Sequence, residues 1–465
     1  MKKIFNYVTS ACLLVVTMQA CKLTDVTDLK PQDKLDENTV VTDIPSAENL
    51  LAGAYYVLRM DGMAASIPYH TSLMGLNVGT ADPAASVFVN NTVPTNNREL
   101  NEVIYGSPYE MIQTANWVIE KTGRLTTTVA RKAEIIAEAK FLRALGHFYI
   151  LRLFGQFWDI NSQYGIEIRN QSILPIAERA TVKASYDFIL ADLDEAIKFC
   201  PQYVTGATVK KGYATKLAAK ALKSRVLLYK KDYSEAALLA KDVMSGPAVL
   251  SNDFLNMFTR DKYYSNEVIL ASITFYKNTT PYGDSFKLTF WNTYTTGSLS
   301  PRYIALLEND ARKTIVTPPD PDYPDEPVLN GKFSVGVDDG WNDTEYYFRL
   351  AEAYLIYAEA EVRRAGGSLS DAQNAVNALR IKRGVLPVSA SDKTELLALI
   401  RREKELELGA ESGEDWFDIV RYIKNKDVEA GAVKLSLRDE NKLILPVPQV
   451  SIDAAGGLLK QNPGY

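Results

Sequence analysis

Two glutamates four residues apart are the residues of this sequence best spaced for catalysis. Glu403 and Glu407 lie in the segment RREKELELGAESGEDWFDIVRY (401–422), which holds seven carboxylates and four basic residues. On a helix they would stand one turn apart, close enough to share a proton or to flank a bond, as paired carboxylates do in general acid–base catalysis. One hypothesis is therefore a glycoside hydrolase that uses Glu403 and Glu407.

The helix that would carry this pair favours a structural role for it. Asp392 is the expected N-cap, and Glu403 and Glu407 then continue an apolar stripe on one helical face into the packed interior. Buried carboxylates need partners, and Arg402 and Arg421 of the same short unit are expected to supply them. A glycosidase instead places its two acids across an open cleft, normally from separate elements. We therefore expect a structural brace and no catalytic residue.

The other residues that could do chemistry are few. The chain has only two histidines, far apart and with no cysteine beside them, which leaves little for a zinc site or a Ser-His-Asp arrangement. His147 lies in an amphipathic helical pattern and is expected to be a hydrogen-bonded core histidine. The segment VDDGWND (337–343) lacks the spacing of an EF-hand loop and is predicted to be solvated. The formal net charge of −5, without clustered Lys and Arg, argues against nucleic acid. We expect no metal, no cofactor and no nucleic-acid partner.

The N-terminus has the pattern of a secretory signal. MKKIFNYVTSACLLVVTMQAC (1–21) has two basic residues, an apolar run and the small Ala20 before Cys21, which is typical of a lipoprotein cleavage site. We therefore predict a signal peptide over 1–20 and lipidation of Cys21; a conventional signal peptide with a coincidental cysteine is the alternative. Cleavage would also remove Cys12 and leave Cys200 as the only other cysteine, so an intrachain disulfide is excluded.

Helical patterns dominate the rest of the chain. ATKLAAKALKSRVLLYKKDYSEAALLAKDVM (214–244) predicts two helices with a break at Lys231 and Asp232, and small residues on the second helix let the pair close tightly. Residues 348–384 show the same pattern of two paired helices, and residues 139–155 have the pattern of the first helix of such a pair. These segments predict a mainly α-helical fold, a tetratricopeptide-like repeat scaffold.

The composition of two stretches predicts that they are insertions in this scaffold. Residues 60–100 and 265–345 are rich in Pro, Gly, Asn and aromatics, although EVILASITFY (267–276) indicates a short strand. We predict one domain over 21–465, with the scaffold at about 40–60, 105–250 and 345–425. The two stretches would form loop-rich, ligand-facing segments, because long loops on a rigid scaffold often carry binding sites.

Six motifs of the sequence resemble those of one protein family and occur in the family's order along the chain. They are the 401–422 segment, AKFLRALGHFYILRLFG (139–155), ANWVI (115–119), RLAEAYLIYAEA (349–360), AVNALRIKRG (375–384) and LILPVPQVSIDAAGGLLKQNPGY (443–465). Together they resemble the SusD/RagB-like outer-membrane nutrient-binding lipoproteins, from about residue 50 to the end. The chain departs from the family pattern at Asp415, where a basic residue usually precedes the tryptophan, and at Ala454 and Ala455, which replace the usual Asn-Pro.

The resemblance implies a function in nutrient capture. It implies a non-enzymatic protein, anchored in the outer membrane by lipid on Cys21 and facing the cell exterior. Such a protein captures an oligosaccharide or polysaccharide and delivers it to a TonB-dependent, SusC-like transporter on which it sits. The glycan is not identified and a peptide ligand stays open. The alternatives are the glycoside hydrolase with Glu403 and Glu407, and a helical-repeat adaptor that binds only protein.

Aromatic residues in the loops are the candidates for sugar binding, because sugar rings stack their C–H faces on aromatic side chains. Three of the five tryptophans have a packing explanation: Trp117, Trp158 and Trp416. Trp291 and Trp341 remain, with Tyr294 close to the first in sequence. In the family the ligand face also includes the early loop region, which here offers Tyr69 and Asn77. These five residues are the predicted ligand-binding set.

Overall fold

The computed structural model describes residues 41–173, 177–204, 209–258, 265–272, 296–319, 321–322, 324–333 and 345–465. Its α-helices are α1 (Ile44–Arg59), α2 (Ile67–Met74), α3 (Ser86–Val89), α4 (Gly106–Gly123), α5 (Ala130–Phe154), α6 (Val182–Phe199), α7 (Lys216–Lys230), α8 (Tyr233–Met244), α9 (Pro301–Leu306), α10 (Lys313–Val316), α11 (Leu350–Arg363), α12 (Leu369–Lys382), α13 (Lys393–Leu408), α14 (Glu414–Lys424), α15 (Ala430–Val433) and α16 (Gln449–Ala454). Its strands are β1 (Val78–Gly79), β2 (Val268–Ser272), β3 (Ser298–Leu299) and β4 (Glu345–Arg349).

The helices form the predicted repeat scaffold. From α4 to α8 each helix packs against the next, and α8 packs against α11, which in turn packs against α12 and α13. The helix pair expected over 214–244 is α7 and α8. Lys231 makes the turn between them with a φ of 68°, and the side chain of Asp232 caps the N-terminus of α8. The mainly α-helical fold class is confirmed.

Small residues explain why these helices approach so closely. Ala236 and Ala240 of α8 are fully buried in a cluster with residues of α7 and α11. Gly146 of α5 lies against α4, where a Cβ atom would come within 3.0 Å of the Pro108 carbonyl oxygen and 2.8 Å of an Ile112 side-chain atom. Short side chains at these positions therefore set the spacing of the stack.

The segment 60–100 contains more helix than its composition predicts. A π-helical turn at Gly62–Ser66 leads into α2, all of whose residues are buried, and a second π-turn follows at Leu100–Ile104. Gly62 fits because its backbone lies close to Ser107. Pro68 follows this π-turn closely, as the second residue of α2. Glycine and proline here serve helix packing, so their loop-like signal is misleading.

Two short antiparallel ribbons connect the loop-rich segments to the scaffold. β1 pairs with β3, with Val78 opposite Leu299. β2 pairs with β4, with Ser272 opposite Glu345, and β2 confirms the strand indicated by EVILASITFY within the described residues. No helix in the described part of the chain is long and apolar enough to cross a membrane.

Candidate functional site

The acidic pair on α13 is closed off by arginines. Glu403 and Glu407 are 1% and 0% exposed. Glu407 accepts hydrogen bonds from Arg349 Nη1 (2.8 Å) and Arg383 Nη2 (2.8 Å) at Oε1, and from Arg312 Nη1 (3.0 Å) at Oε2. Arg312 Nη1 also donates to Glu403 Oε1 at 2.8 Å. The pair therefore has the geometry of the predicted brace and lacks the open cleft in which a glycosidase holds sugar and water.

The partners of these carboxylates differ from those expected. Glu403 pairs with Arg380 in addition to Arg312, and Arg402 is exposed. Arg402 directly precedes Glu403, and side chains adjacent in sequence do not share a helical face. Arg421 serves a different carboxylate, Glu359, to which its Nη2 donates at 2.8 Å. The brace is confirmed, but the prediction that Arg402 and Arg421 hold it is wrong.

The arginines around Glu407 keep its side chain negatively charged. Burial by itself would raise its pKa, but the guanidinium groups of Arg383 and Arg349 outweigh this effect and hold the pKa well below its usual range. A carboxylate that stays ionised has no proton to donate at neutral pH. Its oxygens are also occupied by arginine donors, so Glu407 is unsuited to act as an acid or as a nucleophile.

The brace extends into the segments that flank the loops. Arg349 of β4 also donates to Glu267 Oε1 (2.9 Å), just before β2, and to Glu411 Oε1 (2.6 Å). Lys332, in the 324–333 segment, donates to the Glu407 and Gly409 carbonyls at 2.9 Å each. The buried network thus fastens β2, β4, Arg312 and Lys332 onto the end of α13.

His147 is a core histidine, as predicted. It is fully buried, its Nε2 accepts from the Arg169 backbone N–H (3.1 Å), and its Nδ1 therefore donates to the Arg143 carbonyl (2.8 Å). Burial lowers its pKa to about 3, so the ring is neutral. Within the described ranges, no group of three or more His, Cys, Asp and Glu side chains is arranged to hold a metal ion.

Tyr69 and Asn77, two of the predicted ligand-binding residues, are buried, at 3% and 0% exposure. The Tyr69 hydroxyl donates to the Thr296 carbonyl at 2.7 Å. Asn77 Nδ2 donates to Asp415 Oδ2 (3.0 Å), and Arg302 Nη1 donates to Asn77 Oδ1 (2.9 Å). Both residues thus join the early segment to later ones, and their contact with a ligand stays a prediction.

Trp291, Tyr294, Trp341 and the lipidation candidate Cys21 lie outside the described residues. The residues that flank the tryptophan segments lie side by side. Ser272, which precedes 273–295, pairs with Glu345, which follows 334–344.

The other end of the 273–295 segment is fixed to the early region. Tyr69 holds Thr296, and the Ser300 hydroxyl donates to the Leu76 carbonyl at 2.6 Å. The structure therefore joins the end of the 273–295 segment to the early segment, and the residue before it to the residue after 334–344.

The other three tryptophans have different exposures. Trp416 is fully buried, and Trp158 is partly buried against the core. Trp117, expected to be packed, is 38% exposed on α4. Its place within a helical motif indicates only the secondary structure, and the outer face of α4 leaves the ring half open to solvent.

A polar rim beyond β1 was missed as a set of candidate residues. Asp82, Asn90, Thr92, Asn96 and Arg98 are all exposed between α2 and the second π-turn. The run VNNTVPTNNR (89–98) is the signal that could have found them, since amide and hydroxyl groups bond sugar hydroxyls.

Both halves of the chain match models of one family. Residues 27–228 match a model described as starch-binding associating with outer membrane, and residues 258–465 match the SusD family model. The chain belongs to the SusD/RagB-like family. This confirms the resemblance that its six motifs carry.

Three relatives are distant in sequence, and the two with solved structures have a similar fold. The SusD-like protein P2 of Formosa agariphila is 23% identical over 435 residues, covering 81% of this chain and 83% of the relative. A SusD superfamily protein from Bacteroides thetaiotaomicron is 23% identical with a TM-score of 0.76, covering 91% of this chain and all of the other. A structure described as a laminarin-binding SusD-like protein is 22% identical with a TM-score of 0.72 and the same coverage.

Proposed function

We propose that this protein binds a glycan at the cell surface and delivers it to a TonB-dependent, SusC-like transporter. Membership of the SusD/RagB-like family over both halves of the chain is the observation that carries the proposal. One matched model is described as starch-binding, and one structural relative as laminarin-binding. The buried state of Glu403 and Glu407 supports binding without hydrolysis.

The ligand face is proposed to combine Trp291, Tyr294 and Trp341 with the polar rim beyond β1. The residues that flank these segments support this grouping. The β2–β4 ribbon joins the residue before 273–295 to the residue after 334–344, and the β1–β3 ribbon joins the residues after 273–295 to the early segment. Flat aromatic rings would stack on sugar C–H faces, while rim amides would bond hydroxyl groups. Tyr69 and Asn77 belong to this face, where their burial favours holding the segments in place.

Attachment to the membrane is proposed through Cys21. Removal of 1–20 would leave 21–465 as the mature domain, with a lipid on its first residue. This arrangement would place the protein on the outer membrane, facing the cell exterior, next to the transporter.

The proposal is tested by titrating purified protein with a panel of polysaccharides and oligosaccharides that includes laminarin. Calorimetry should detect at least one ligand, and assays for reducing ends should find no products. Absence of binding across the panel would count against glycan capture. Release of products by the wild-type protein would favour the hydrolase.

A further inference from the structure

A cavity of about 100 Å³ lies between α13, α14 and α15. Four of its lining side chains are aliphatic: Leu408, Ile419, Val428 and Val433. The others are charged side chains and Tyr422. A pocket that combines an apolar wall with a few polar groups is typical of a site for a small amphipathic molecule.

Most of the charges around this cavity are already neutralised. Lys404 pairs with Asp418 at 2.7 Å, and Arg302 pairs with Glu405 at 2.5 Å. Glu414 also lines the cavity and is held from behind by two buried arginines, Arg152 at 2.6 Å and Arg225 at 3.2 Å. These charged side chains therefore need no charged ligand to neutralise them.

Asp415 is different, because no cation in the described part of the chain lies within ion-pair distance of it. Its Oδ2 accepts from the Ala410 backbone N–H and from Asn77 Nδ2, both at 3.0 Å. Its Oδ1 accepts no hydrogen bond from the described residues. Burial raises the pKa of Asp415 to about 6, which marks a carboxylate that lacks a counter-charge.

Two further groups lack partners that suit them. Arg401 has no carboxylate of the described residues within ion-pair distance; its Nη1 reaches only the Asp427 carbonyl, at 3.4 Å. The guanidinium lies 5.8 Å from the centre of the Tyr422 ring. The Tyr422 hydroxyl is buried and has no hydrogen-bond partner in the ranges that the structure describes. Arg401 is therefore a cavity-lining cation that no carboxylate of the described residues neutralises.

The two unpaired charges share one small cavity. Asp415 and Arg401 both line it, and its volume is about 100 Å³. One small molecule that carries a positive and a negative group can therefore meet both side chains.

We propose that the α13–α14 cavity binds a small aliphatic zwitterion of the α-amino-acid type. Its ammonium group would meet Asp415, its carboxylate would meet Arg401, and its side chain would pack on the aliphatic lining residues. This ligand is chemically distinct from a glycan, and its binding does not depend on the proposed function.

The experiment uses L-leucine as the probe in calorimetry with the mature protein. Leucinamide lacks the carboxylate and 4-methylpentanoate lacks the ammonium group. L-leucine should bind, and each analogue should bind at least tenfold more weakly, since each leaves one charge of the cavity unpaired. Failure of L-leucine to bind at millimolar concentration, or equal binding of the analogues, would overturn the proposal.

Variants assign the contacts. Asp415→Asn keeps an acceptor for Ala410, and both it and Arg401→Gln should weaken L-leucine binding at least tenfold. Arg402→Gln is the matched control, because Arg402 is the exposed neighbour of Arg401 and does not line the cavity. If Asp415→Asn does not fold, Arg401→Gln alone decides, as Arg401 is in no ion pair of the described residues. Unchanged binding by a folded Arg401→Gln variant would refute the assignment.

Discussion

Replacement of Glu407 by glutamine tests whether the acidic pair is a brace. The wild-type carboxylate faces Arg312, Arg349 and Arg383, and glutamine would remove one negative charge from this buried cluster. Breaking a buried ion pair by removing one partner costs about 3 to 5 kcal/mol of unfolding free energy.

The remaining contacts place the expected loss within that range. Each of the three arginines keeps another carboxylate: Arg349 and Arg383 keep Glu267, and Arg312 keeps Asp310. We therefore expect the lower end, about 3 kcal/mol. At about 2 °C per kcal/mol for a large domain, the melting temperature should fall by roughly 6 °C.

The assay is thermal unfolding of Glu407→Gln beside a matched surface variant, Glu308→Gln. Glu308 also forms an ion pair, with Lys313 at 2.5 Å, but its side chain is 54% exposed. Exposed pairs contribute little, so this control should melt as the wild-type protein does. The reasoning is refuted if Glu407→Gln keeps the wild-type melting temperature. Loss of a glycan-cleaving activity in the same stable variant would establish the hydrolase in its place.

Other consequences can be measured separately. Trp291→Ala or Trp341→Ala should weaken glycan affinity at least tenfold with little change in melting temperature, since a stacking platform contributes about 1 to 3 kcal/mol; calorimetry showing wild-type affinity in both variants would move the site elsewhere. Mass spectrometry should find a lipidated N-terminus at Cys21, and a free N-terminus at another residue would contradict the anchor. Gentle extraction of the native complex should co-purify a barrel transporter, whereas a strictly monomeric species in mild detergent would count against that partner. Because the pKa of His147 is lowered to about 3 from about 6.5, the unfolded chain binds the extra proton first and stability should fall between these values as the solution is acidified; His147→Gln should remove that part of the pH dependence, and an unchanged profile would contradict the assignment.

The scaffold can be predicted from the sequence because its signals are local. The break at Lys231 and Asp232 and the N-cap at Asp392 each depend on neighbouring residues, and the structure shows all three in those roles. The helices of 60–74 are not predicted for the opposite reason. Gly62 and Pro68 suit a loop equally well, and only packing against residues far along the chain favours helix there.

The side-chain contacts of the brace can likewise be predicted only in part from local sequence. Burial of Glu403 and Glu407 follows from the periodicity of α13, a local property. Their partners do not, because Arg312 and Arg349 are separated from Glu407 by 95 and 58 residues. Sequence shows that a buried carboxylate needs an arginine, but the tertiary fold decides which arginine it meets.

Asp415 shows what the sequence and the structure each contribute. In the sequence it departs from the family pattern, because an acidic residue stands where a basic residue usually precedes the tryptophan. In the structure it anchors Asn77 and the end of α13 through Oδ2 while no cation of the described residues neutralises it. Burying an unpaired carboxylate destabilises the fold, which its raised pKa of about 6 reflects. A ligand ammonium group would remove that penalty, so occupancy of the α13–α14 cavity should lower the pKa of Asp415. NMR titration of its carboxyl carbon with and without L-leucine should show this downward shift, and an unchanged pKa under saturating ligand would place the ammonium group elsewhere.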